Sequence, residues 1–163
     1  FEYSICNDDI HDVIKIASNI LSVHLEYNEN ELEASDFSDL PLFTIENYPI
    51  RYSKGCENNC PYCERSLENN KVYKTPKIFE KELYMAIERY GAKALTFIDS
   101  SLLGGNNNKF FEEIIPIIEK YQIPWRANGV TLLSLNENKV KRLAKSKCYL
   151  LSIGVEHIDD TEK

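Results

Sequence analysis

No apolar stretch in this 163-residue chain approaches the roughly 18–20 residues needed to cross a bilayer. No basic segment followed by an apolar core opens it, so nothing marks it for secretion. Positive charge is in deficit: 19 Lys and Arg stand against 26 Asp and Glu, a net charge of −7. That balance argues against a broad electrostatic footprint for nucleic acid or an anionic membrane, although it leaves room for a local basic groove. The first residue is Phe1 rather than methionine, and a trimmed N-terminus is expected. The length suits one sizeable core and hence one domain.

Cysteine is scarce and unevenly placed. There are five, an odd number, and three crowd onto one short segment where disulfides would be strained or useless. A reducing compartment, the cytoplasm, is the expectation. Cys6 and Cys148 stand alone and read as small buried apolar residues.

The crowded three are Cys56, Cys60 and Cys63, in the run Gly55-Cys56-Glu57-Asn58-Asn59-Cys60-Pro61-Tyr62-Cys63. Thiolates in a C-x3-C-x2-C spacing can hold three corners of an iron–sulfur cube and leave the fourth iron without a protein ligand. An open iron is a place for chemistry, whereas a fully ligated cluster mostly transfers electrons. Asn58 and Asn59 tolerate the left-handed backbone of a tight turn, and Pro61 stiffens the step to Tyr62. The alternative is a structural zinc loop in an interaction module without catalysis. Zinc asks for a fourth ligand, with Cys148 or His157 as candidates.

Around this loop the chain alternates between helix and strand patterns. Residues 9 to 25 read as an amphipathic helix with Ile10, Val13, Ile14, Ala17, Ile20, Leu21, His24 and Leu25 on its apolar face and Asn7 or Asp8 as cap. Asp9 and His11 read as helix-start residues, and His24 as a packed histidine. Residues 26 to 48 are acidic and irregular, a linker. The domain expectation is therefore 1–48 for helix and linker, and 49–163 for the core. Glu64 and Arg65 read as a helix start, and Lys54 as solvated. Thr75-Pro76 opens a helix with a stripe of Phe79, Leu83, Ala86, Ile87 and Tyr90, and Gly91 stops it. Residues 94 to 99 form a strand. Phe110, Phe111, Ile114, Ile115, Ile118 and Tyr121 mark a second helix, with a kink or early break expected at Pro116. Residues 123 to 128 form a third strand. Ser134-Leu135-Asn136-Glu137 has the form of a capping box for a helix with Val140, Leu143 and Ala144 inward. Residues 149 to 156 form the fourth strand.

Strands alternating with helices imply βαβ units and a parallel sheet. Functional groups on such sheets gather at the C-terminal strand ends, where the cysteine loop, Asp99 to Gly105, Asn128 and Glu156 all fall. Period-two alternation puts Arg126 and Asn128 on one face of their strand and Trp125 and Ala127 on the other. In the fourth strand it separates Leu150, Ser152, Gly154 and Glu156 from Tyr149, Leu151, Ile153 and Val155.

The cysteine spacing, the aromatic Tyr62 before the last cysteine and the lead-in Pro49-Ile50-Arg51-Tyr52-Ser53-Lys54-Gly55 resemble the radical S-adenosylmethionine (SAM) enzymes. Residues 97–106, Phe-Ile-Asp-Ser-Ser-Leu-Leu-Gly-Gly-Asn, resemble the second-strand end of the subgroup often fused to cobalamin-binding domains. Residues 147–156 resemble that subgroup's fourth strand, which often ends in Gly-x-Glu-Ser; here His157 replaces the serine, and the serine's role does not carry over. The resemblance covers roughly residues 49 to 157. It implies an α/β partial (β/α) barrel of the radical SAM type. About four βα units are present where the family usually has six, so a truncated core is expected.

The resemblance also implies a 4Fe–4S cluster on Cys56, Cys60 and Cys63 that reductively cleaves SAM to a 5′-deoxyadenosyl radical, which abstracts hydrogen from a substrate the sequence does not name. An oxidoreductase or a transferase would fit. Cobalamin would enter only through a domain not evident here: Asp9-Ile10-His11 begins like its signature, but Ile14 stands where glycine is needed. An electron donor such as flavodoxin or ferredoxin is implied. Tyr62 would lie beside the adenine, or simply pack the loop. Asp99, with Ser100, would replace the family's Gly-Gly-Glu-like contact to the SAM amino group, or act as a loop carboxylate or cap. Arg126 would meet the SAM carboxylate or form a salt bridge within the barrel, with Asn128 beside it. Glu156 would accept from the ribose hydroxyls. Gly104 and Gly105 would permit the turn after the second strand.

Overall fold

A computed structural model describes residues 10–22, 32, 34–35, 45–58, 60–63, 71–103 and 108–154. The chain divides into two compact units, Phe1–Glu31 and Leu32–Lys163. In the first, α1 spans Ile10–Leu21, inside the helix expected from the apolar periodicity. Cys6, Asn7, Asp8, His24 and most of the acidic linker lie outside the described residues, as do Asn59, Glu64, Arg65, Gly104, Gly105, Glu156 and His157.

The second unit is built on a four-stranded parallel sheet. Its strands are β1 (Asn47–Ile50), β4 (Ala94–Phe97), β5 (Trp125–Thr131) and β6 (Cys148–Gly154), side by side in that order. Each joins the strand of this sheet that precedes it in the chain, so the sheet grows in one direction, as in a barrel, without the reversal of a doubly wound sheet. Between β1 and β4 lie a short antiparallel pair, β2 (Ser53–Lys54) and β3 (Val72–Tyr73), and helix α2 (Pro76–Glu88). Helices α3 (Ile115–Tyr121) and α4 (Glu137–Lys145) fill the later crossovers.

The register divides the sheet into two chemically different faces. Tyr48, Ile50, Leu95, Phe97, Trp125 and Ala127 are fully buried, and they pack with Phe79, Leu83, Phe110, Ile114 and Ile118 from the helical segments. Phe97 forms the centre of an aromatic cluster, 5.3 Å from Trp125, 5.5 Å from Phe110 and 6.0 Å from Phe79 between ring centroids. The Trp125 indole N–H donates to the Ser146 carbonyl at 2.8 Å, which satisfies the one polar atom this ring brings inside. Pro49, Thr96, Arg126 and Leu150 occupy the other face at matching register positions. Arg126 thus stands opposite Trp125 and Ala127, as strand alternation predicts.

Two local expectations are corrected and one takes a definite form. The irregularity expected at Pro116 is a π-helical turn, Phe110–Ile114, that passes directly into α3, with Pro116 in its first turn. A proline lacks the N–H for the preceding turn and crowds its carbonyl, and the wider turn accommodates both. Ser134 is not the cap of α4. It sits in a 3₁₀ turn, Leu132–Ser134, and its hydroxyl donates to the Thr131 carbonyl at 2.6 Å, while Asn136 caps the helix by accepting from the Lys139 N–H at 2.9 Å. Of the three residues expected inward on α4, only Leu143 is buried; Val140 and Ala144 are exposed. Thr75 caps α2 as expected, accepting from the Ile78 N–H at 3.3 Å, and the Phe79, Leu83, Ala86 and Tyr90 stripe is buried. Among the described residues no helix is long and apolar enough to cross a membrane.

Candidate functional site at the C-terminal strand ends

The cysteine loop is the excursion of a small hairpin. β2 and β3 pair Ser53 with Tyr73 and Lys54 with Val72, and the Lys74 N–H continues the ladder to the Tyr52 carbonyl at 2.8 Å. This clasp closes the loop at its base and seats it directly beyond the C-terminal end of β1. Gly55, at the loop entrance, is buried with φ of +87°, a conformation side chains resist. Within the loop the Asn58 N–H donates to the Cys56 Sγ at 3.4 Å, and the Cys63 N–H to the Cys60 carbonyl at 3.1 Å. The Tyr73 hydroxyl donates to Glu57 Oε1 at 2.7 Å, tying the residue after Cys56 back to β3.

All three loop cysteines are half-buried free thiols. Among the described residues, no three His, Cys, Asp or Glu side chains converge as a metal site. The donor chemistry nonetheless fits an iron–sulfur cluster: three sulfurs on one loop, none in a disulfide, with a backbone N–H directed at one of them.

The end of β4 lies against this loop. Asp99 is buried, and its Oδ2 accepts from the Tyr52 N–H at 3.1 Å. Its Oδ1 accepts from the Ser53 N–H and from the Ser53 hydroxyl, the latter at 2.7 Å. Burial pushes the Asp99 carboxyl above the ordinary carboxylate range, opposed by the Ser53 and Tyr52 donors and by Lys71. Lys71, at the loop's exit, donates to the Ser101 carbonyl at 2.6 Å. Burial draws its ammonium below the usual lysine range, against the pull of Glu57 and Asp99. The Tyr52 hydroxyl and the Ser101 hydroxyl are buried with no hydrogen-bond partner among the described residues. Burial is also the main reason the Tyr52 phenol is raised well above its ordinary value.

The remaining predicted residues that are described lie on the loop, just after β4 and along β5. Tyr62 is 64% exposed on the loop. Ser100 is half-buried next to Asp99. Arg126 is half-buried on the polar face of β5, where its Nε donates to Thr96 Oγ1 at 3.0 Å; no salt bridge accompanies it among the described residues. Asn128 is exposed at a bulge, because the β5–β6 register shifts between Ala127 and Val130.

Sequence reasoning missed three features here. The β2–β3 clasp was too short to show a periodicity. Lys74 and Glu82 went unremarked, but they form a buried ion pair, which ties the end of β3 to α2. Gly129 went unremarked, although an Asn-Gly pair inside a strand is a signal for a bulge or a close backbone approach. A separate groove of about 260 Å³, between Phe111 and Glu112 on one side and Lys139 and Arg142 on the other, belongs to the helical layer and holds none of the predicted residues.

Comparison with known families agrees with this architecture. Residues 50–163 match the radical SAM superfamily model, so the chain belongs to the radical SAM superfamily. It is also similar to an uncharacterized methyltransferase of Pyrococcus horikoshii, 23% identical over 136 residues. That alignment covers 79% of this chain but only 29% of the relative's length. No solved structure matches the chain significantly.

Proposed function

We propose that this chain carries the cofactor-binding part of a radical SAM enzyme, with Cys56, Cys60 and Cys63 as the three protein ligands of a 4Fe–4S cluster and SAM lying across the C-terminal ends of the parallel strands. The observation that carries this reading is the seat of the cysteine loop: it leaves the end of β1, is clasped by β2 and β3, and lies against the buried polar end of β4. When bound, the cluster supplies the electron that cleaves SAM to a 5′-deoxyadenosyl radical for hydrogen abstraction from the substrate.

The chain's own residues then bind, orient and shield. Tyr62 flanks the adenine from the loop. Arg126, held by Thr96 on the polar face, presents its guanidinium to the methionyl carboxylate. Ser100 and Asn128 contribute polar contacts from adjacent strand ends, and Glu156 accepts from the ribose hydroxyls. The helix-covered face supplies a rigid floor that keeps these strand ends in place. The family match does not favour the zinc-loop alternative.

The finer parts of the reading are an electron donor such as flavodoxin or ferredoxin, a cytoplasmic setting and no nucleic-acid partner. Membership of the cobalamin-associated subgroup belongs with them, with cobalamin held by a domain not evident in this chain. The name of the Pyrococcus horikoshii relative makes methyl transfer the reaction class to assay first. The test is anaerobic incubation of the reconstituted protein with SAM and a strong reductant. Production of 5′-deoxyadenosine above that of a Cys56→Ala/Cys60→Ala/Cys63→Ala variant supports the proposal; equal traces from both would count against it.

A further inference from the structure

Asp99 is 3% exposed, and its carboxylate is engaged by three protein donors: the Tyr52 N–H, the Ser53 N–H and the Ser53 hydroxyl. Those two amides belong to the residues that lead from β1 into the cysteine loop. A carboxylate buried this deeply is stable only where several donors converge on it, and here they converge from one turn of backbone. Such a group has little acceptor capacity left, and almost no exposed surface through which an ammonium could reach it.

The backbone of Asp99 is pinned as well. A Cβ on Gly129 would stand 2.9 Å from the Asp99 carbonyl oxygen and 2.6 Å from that of Ser100, and Gly129 has φ of +68°. The bulge in β5 therefore admits only glycine against the end of β4. From the other side, Lys71 donates to the Ser101 carbonyl. The segment 99–101 thus holds the loop at its entry through a side chain and at its exit through Lys71.

We propose that Asp99 is a positioning residue for the cysteine loop: its carboxylate fixes the backbone of Tyr52 and Ser53, and so the path on which Cys56 is presented, instead of contacting SAM. Gly129 is the backbone support that keeps Asp99 in register. The metal readout of this inference rests on the cluster reading above; the backbone readout does not.

The test uses the full chain carrying Asp99→Asn or Gly129→Ala. An asparagine turns an N–H₂ toward one of the three donors and loses that bond. In the metal-free chain, Asp99→Asn is expected to speed amide hydrogen exchange by about tenfold or more at whichever of Tyr52 and Ser53 faces the N–H₂, while amides of the β4–β5 ladder are unchanged. After anaerobic reconstitution and desalting, both variants are expected to retain severalfold less iron and to show an altered cluster EPR signal before any SAM is added. Unchanged exchange at Tyr52 and Ser53 overturns the proposal. So does wild-type iron retention with only the SAM-induced EPR change lost, which would make Asp99 a SAM contact. If the wild-type chain takes up no iron, the cluster reading fails and the exchange measurement still decides the role of Asp99. Should Asp99→Asn fail to fold, Ser53→Ala removes only the hydroxyl bond, and faster exchange at the Ser53 amide is the expected result, with no change the contrary one.

Discussion

Strands β4 and β6 belong to one parallel sheet, yet they solve opposite problems. β4 lies between two partners, and its side chains are almost all buried; its end is bonded through Asp99 and Ser101 to the cysteine loop. β6 pairs with β5 alone among the described strands, and none of its residues is fully buried; Tyr149, Leu150 and Ile153 are 54%, 44% and 38% exposed. The difference teaches where rigidity is concentrated. The strand that touches the loop is packed on its helix side by Phe79, Phe110 and Trp125, which fixes its end, while the outer strand adds polar and apolar surface with little constraint of its own.

The largest expected contrast is chemical. Replacing any one of Cys56, Cys60 and Cys63 by alanine should reduce reconstituted iron from about four per chain to near none by metal analysis, because two thiolates do not retain a cube. The same substitution at Cys148, on β6, should leave iron content unchanged. Next comes packing. Phe97→Ala should cost about 3–5 kcal/mol in denaturant unfolding, the usual range for a buried phenylalanine. Reactivity separates the regions further. Burial pushes the Cys148 thiol up to about 11 from an ordinary value of 9.0. At pH 8 its alkylation should run about a hundredfold slower than that of an ordinary exposed thiol, and the rate should rise about tenfold per pH unit up to about pH 11, followed by mass spectrometry. Asn136→Ala should cost about 1 kcal/mol by removing the cap of α4. Smallest of all, Ile153→Ser on β6, where the side chain is 38% exposed, should shift stability by about 0.5 kcal/mol or less; a loss near that of Phe97→Ala would show that β6 is as constrained as β4.

These contrasts follow how legible each region was in the sequence. The alternation of strands and helices, the helix between β1 and β4 and the apolar floor were readable because long apolar periodicities survive tertiary packing. The Thr75-Pro76 start of α2 was readable for the same local reason, a cap followed by a proline that suits the first turn. The cap of α4 was misread because Ser134-x-x-Glu137 and Asn136 compete, and the Ser134 hydroxyl already had a partner in Thr131. Asp99 was visible as a polar strand end, but its three donors come from residues 46 and 47 positions away in sequence, so no local pattern reports them. Lys74 and Glu82 were hidden likewise: only the fold shows that their charges are buried against each other.

The central claim is that the loop of Cys56, Cys60 and Cys63 holds an iron–sulfur cluster with one iron open to SAM. The most direct measurement is EPR of anaerobically reconstituted, dithionite-reduced protein with and without SAM, alongside iron, sulfide and zinc analysis. About four irons per chain, matching sulfide, and a spectrum that changes when SAM is added are the predicted result. Stoichiometric zinc with no iron, or a cluster spectrum indifferent to SAM, would contradict it.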